Sequence, residues 1–112
     1  MSFNLYPVNS NPLVSLMITH SNLKLTIPEV KFSLMEPICE IKLSLVKRIG
    51  TDVDSMDLQL KDEHNNFVAN MNEDLRPLGY YSPKDKYIIH VKYLPAFLHF
   101  KYFSKVLIYV GH

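Results

Sequence analysis

The chain has 112 residues, 47% of them hydrophobic and 21% charged, which suits one globular domain and is too short for two sizeable cores. Lysine and arginine number 12 against 11 acidic residues, so the net charge is +1 and no global field draws the chain to nucleic acid. The single cysteine, Cys39, excludes an internal disulfide and a structural zinc site, and it fits a reducing compartment.

Residues 1–12 lack a basic cluster followed by an apolar run and a cleavage site, and their Asn, Ser and Pro content reads as a flexible leader. From Leu13 the chain alternates, with Val14, Leu16 and Ile18 on one face and Ser15, Met17 and Thr19 on the other, the period of a half-buried strand. His20-Ser21-Asn22 breaks the run. Pro28 interrupts a second alternation, so residues 21–29 read as a long connection or an irregular edge. Val30, Phe32 and Leu34 then resume, and two strands at this spacing predict an antiparallel hairpin.

Glu36-Pro37 opens a helix. Ile38, Ile41, Leu45 and Ile49 form its apolar face, Lys42, Lys47 and Arg48 occupy other faces, and Gly50 stops it. Met56, Leu58 and Leu60 alternate in a third strand, and Phe67-Val68-Ala69 forms a short fourth. Residues 70–86 are irregular, with Leu75, Leu78, Tyr80 and Tyr81 as apolar anchors. A fifth strand, roughly Tyr87 to Leu94, sets Ile89 and Val91 against His90 and Lys92. This order predicts an α+β domain, one helix packed across one face of a mixed sheet. No stretch reaches the roughly 18 apolar residues that a membrane span needs, and no span is expected.

The succession resembles the ubiquitin-like β-grasp fold over residues 13–94. The stretches Phe32 to Leu34, Ile38-Cys39-Glu40-Ile41-Lys42, Leu45 to Gly50 and Met56 to Leu60 are similar to the N-terminal ubiquitin-like domain of the tubulin-folding cofactor B family. So are Leu78-Gly79-Tyr80-Tyr81-Ser82-Pro83-Lys84-Asp85 and the closing Ile89-His90-Val91. The related cofactor E also carries such a domain and is the nearest competitor. The resemblance implies a non-catalytic part in α-tubulin folding and in assembly and dissociation of the tubulin heterodimer. It implies α-tubulin and tubulin-folding cofactor E as partners and a cytoplasmic location with cytoskeletal association; a monomer is expected. That family also has a CAP-Gly domain, which three glycines cannot supply here, so binding to tubulin tails does not carry over. The alternative is a ubiquitin-like adaptor for proteasomal or signalling partners. Against it, Gln59 and Lys92 stand where ubiquitin presents apolar residues to its readers, and the chain has no terminal Gly-Gly for conjugation.

The residues suggest no active site. Cys39 reads as a small residue at the core edge rather than a nucleophile, and the five histidines lack metal-ligand spacing and read as scattered on the surface. The acidic pairs Asp52/Asp54, Asp62/Glu63 and Glu73/Asp74 read as solvated loops. No enzyme activity, cofactor or metal is expected. The place for a partner is the outward sheet face, with Asp57, Gln59, Lys61, His90 and Lys92, and a second place is the turn bearing Tyr80 and Tyr81. Residues 95–112 form an apolar, basic extension that fits a long strand or a helix. It either docks on another protein or a membrane surface, or is a non-native tail. The second reading is favoured because the run begins where the family's polar linker should start.

Overall fold

A computed structural model describes residues 12–95. The expectations for the leader and the C-terminal extension fall on residues 1–11 and 96–112, outside the described residues. The element order is β1 (Leu13–His20), β2 (Thr26–Ser33), α1 (Ile38–Ile49), β3 (Met56–Lys61), β4 (Phe67–Asn70) and β5 (Ile88–Tyr93). Single 3-10 turns lie at Val53–Ser55 and Leu78–Tyr81. The five strands form one mixed sheet in the order β2-β1-β5-β3-β4, with β1 and β5 parallel and every other neighbour antiparallel.

The alternation in the sequence is the burial pattern of the strands. Val14, Leu16 and Ile18, then Met56, Leu58 and Leu60, then Ile89 and Val91 meet Ile38, Ile41 and Leu45 of α1 in one core. Each such side chain contributes about 1.5–3 kcal/mol when fully buried. Gly50 ends the helix at φ 76°, and its N–H donates to the Val46 carbonyl. Pro37 is the residue before the first turn rather than within it.

Several positions differ from the pattern's forecast. β2 starts at Thr26 and passes through Pro28, because two of its residues, Pro28 and Glu29, stand opposite the single residue Met17 of β1. The prolyl nitrogen thus falls at a bulge in an edge strand, where a missing donor is tolerated. Glu29 takes φ 55° there. Lys42 lies on the buried side of α1, 9% exposed, because its stem covers the core edge while its ammonium reaches Asp74 Oδ1 at 2.9 Å. Asp74 is therefore an ion-pair partner rather than a plain solvated acid. Likewise Asp62 Oδ1 accepts the N–H groups of His64 and Asn66 and closes the β3–β4 turn.

His20 is 8% exposed and not a surface histidine. Its Nδ1 accepts the N–H groups of Asn22 and Leu23 at 3.0 and 3.1 Å, and its Nε2 lies 3.0 Å from the Thr51 hydroxyl. With Nδ1 occupied as an acceptor, Nε2 must carry the proton and donate to Thr51. The imidazole ties the end of β1 to the residue after the α1 cap. Leu75, expected as an anchor in the core, is 88% exposed. The carbonyls on either side of it are committed: Asp74 O accepts Cys39 N–H and Arg76 O accepts Ile38 N–H. Capping the open N-terminus of α1 in this way turns the side chain between them outward.

Candidate interaction surface

The strand residues singled out in the sequence share one face. Asp57 stands opposite Lys92, Gln59 opposite His90, and Lys61 opposite Ile88 across the β3–β5 ladder. Directly paired residues point to the same side of a sheet with Cβ atoms about 5 Å apart. On the far side of β5, Thr19 is level with His90 and Met17 with Ile88. The Thr19 hydroxyl lies 2.7 Å from His90 Nδ1. Burial, then electrostatic repulsion from Lys61, from His20 in its protonated form and from Lys92, holds the His90 pKa below the usual histidine range.

The face is less uniformly polar than the sequence suggested. Ile88 has the parity of His90, not of Ile89, so it belongs to the outward register, yet it is buried. With half-buried Met17 beside it, one end of the face has an apolar floor, and the other end carries Asp57 and Lys92. The signal for Ile88 was its parity, masked by the Ile88-Ile89 doublet.

Tyr80 and Tyr81 lie elsewhere. Their 3-10 turn is fixed at the β2–α1 junction, where Leu78 N–H donates to Glu36 O and Gly79 N–H to Leu34 O, both at 2.8 Å. Gly79 permits this approach, since an added Cβ would sit 3.1 Å from the Leu34 carbonyl oxygen. The rings meet edge to face at 5.1 Å, and the Arg76 guanidinium lies 4.0 Å from the Tyr80 centroid. Tyr81 packs against the core, and Tyr80 is 52% exposed. None of their hydrogen bonds or ring contacts involves the five strand residues. Beside them Pro12, Leu34, Met35, Pro37, Leu75 and Pro77 line an open apolar groove of about 570 Å³.

Cys39 is half-buried on the first turn of α1. Among the described residues no group of three or more His, Cys, Asp or Glu is placed to hold a metal, and no helix is long and apolar enough to cross a membrane.

Comparison with known proteins adds family likeness to this geometry. A family model described as a ubiquitin-like domain matches residues 13–94. The tubulin-folding cofactor B of Arabidopsis thaliana is 41% identical over 78 residues, 70% of this chain and 32% of that protein. The chain thus spans about a third of the length of this curated relative. Among solved structures, the tubulin-binding cofactor B of Trypanosoma brucei superposes with a TM-score of 0.72 at 30% identity, covering 75% of this chain and 98% of that one. A ubiquitin-like domain from a tubulin-binding cofactor B gives a TM-score of 0.66 at 25% identity, covering 75% and 92%.

Proposed function

The chain belongs to the ubiquitin-like domain family, and from that premise we propose that it is a non-catalytic protein-interaction module serving α-tubulin folding and heterodimer assembly or dissociation. The observation that carries this reading is the 41% identity to a tubulin-folding cofactor B over 78 residues. The proposed partners are α-tubulin and tubulin-folding cofactor E, met in the cytoplasm by a monomer. The module spans residues 13–94, between a leader at 1–12 and an extension at 95–112. The contact residues are Asp57, Gln59, Lys61, His90 and Lys92 on the sheet face, with Tyr80 and Tyr81 as a second contact. Two physical points support the division: the strand residues share one surface, and Tyr80 is held in place by Arg76 while remaining half exposed.

The test is a pull-down from cytosolic extract with the full chain as bait, probed for α-tubulin and cofactor E. Specific capture that falls with Lys61→Glu and Lys92→Glu supports the reading. Capture of proteasomal ubiquitin receptors in place of tubulin moves the function to the adaptor class. That outcome is disfavoured by Gln59 and Lys92, which leave the middle and one end of the face polar.

A further inference from the structure

Lysines outnumber acids on the sheet face, and those lysines are unpaired. Lys31 extends from β2, Lys61 from β3 and Lys92 from β5, against two acids, Asp57 of β3 and Glu29 at the β2 bulge opposite Met17. Asp57 is level with Lys92, yet no ion pair joins them. All 11 Asp and Glu residues lie within the described residues, and none is in ion-pairing range of these three lysines. β4 adds Phe67 and Asn70 to the face and no charge. β1 adds Ser15, Met17 and Thr19, while its His20 projects from the opposite parity. A face of this kind suits a partner of opposite charge.

His90 lies at the centre of that charge, between Lys61 and Lys92. Its Nδ1 partner is a hydroxyl, which donates to a neutral ring nitrogen and accepts from a protonated one by rotating. Protonation of His90 therefore forfeits no hydrogen bond. His20 has no such freedom, because its Nδ1 is held by two backbone N–H donors.

We propose that the sheet face takes an acidic segment of its protein partner, and that His90 gains a proton when that segment binds. The inference rests on the reading of this face as the partner surface and adds the partner's chemistry. Burial is the first cause that holds the imidazole neutral and the lysines add to it; carboxylates laid across Lys61 and Lys92 offset that added repulsion, so binding and protonation favour each other. Affinity then rises as the pH falls toward the ordinary histidine range. Added salt weakens it, because the pairs are at the surface.

The experiment uses the full chain and a fluorescein-labelled octaglutamate peptide, with octalysine as control, by anisotropy at pH 7.5 and 6.0. Circular dichroism at each pH verifies the fold. Octaglutamate is expected to bind several-fold more tightly at pH 6.0, to lose affinity at 0.3 M salt, and to fail with Lys61→Glu/Lys92→Glu. The His90→Gln variant is expected to bind with no pH dependence. Equal binding of octaglutamate and octalysine overturns the proposal, as does a pH dependence that persists in His90→Gln. Capture of α-tubulin without octaglutamate binding also overturns it and leaves the functional reading standing. Octaglutamate binding without tubulin capture does the reverse.

Discussion

Two histidines, one each on the parallel neighbours β1 and β5, differ in what a proton costs them. At His20, protonation of Nδ1 would displace the N–H donors of Asn22 and Leu23, and burial independently holds its pKa below the ordinary 6.5. His90 is lowered too, by burial and then by its cationic neighbours. A histidine lowered in the fold binds protons more readily in the unfolded chain between the two pKa values. Its stabilising effect is whole above about pH 6.5 and declines as the pH falls below that. Urea unfolding should therefore show a lower midpoint at pH 5.5 than at pH 7.5, and His20→Gln should narrow the gap. A wild-type midpoint that is level across this range would refute the assignment. Lys42 and Asp74 give a second residue-scale contrast. The lysine side chain is 11% exposed and its partner 50%. Asp74→Ala leaves an ammonium mostly buried without a partner and should cost about 1–3 kcal/mol, whereas Lys42→Met keeps the packing and should cost less. Thermal denaturation of the two variants decides the order, and the reverse order would show that the ion pair is incidental.

Elements were legible in the sequence wherever the side-chain period was unbroken. β1 and β3 keep a clean period of two and α1 one of three to four, and their apolar buried faces follow it, while β5 follows it only from Ile89 onward. β2 was read only in part. Its bulge inserts one residue, so Ile27 and Val30 both face inward though their parities differ, and alternation counted through Pro28 fails. The same bulge places Glu29 at φ 55°, a left-handed conformation costing roughly 1–2 kcal/mol for a residue with a Cβ. Glu29→Gly removes that strain and adds backbone entropy to the unfolded chain, so it should be neutral or stabilise by up to about 1 kcal/mol. Destabilisation by more than that would mean that the Glu29 side chain makes a contact the fold needs. Gly50 offers the mirror experiment. It also has positive φ, with open space where a Cβ would go, so Gly50→Ala should cost about 1 kcal/mol from backbone strain alone.

At the scale of the whole molecule, strand order is what the residue pattern alone did not carry. Periodicity assigns faces but not neighbours, and the parallel β1–β5 pairing at the sheet's centre joins strands separated by the rest of the domain. That topology is what brings Thr19 beside His90 and Met17 beside Ile88. Leu75, in a loop, and His20, at the end of β1, escaped for a related reason: their surroundings are set by carbonyls and amides that only the folded chain gathers. The core cluster runs from Val14 to Val91, and its last supporting hydrogen bond, Leu94 N–H to Ser55 O, lies just before Pro95. Among the described residues, fifteen buried hydrophobic side chains form this one cluster. A fragment of residues 12–95 should therefore unfold cooperatively, with a urea midpoint matching that of the 112-residue chain. It should also be the more soluble of the two, because residues 97–112 include Phe97, Phe100, Tyr102, Phe103, Ile108 and Tyr109 and only two lysines. A clearly lower midpoint for the fragment would instead assign the extension a packing role on the domain. Equal solubility of both forms would argue against a tail that fits the domain poorly.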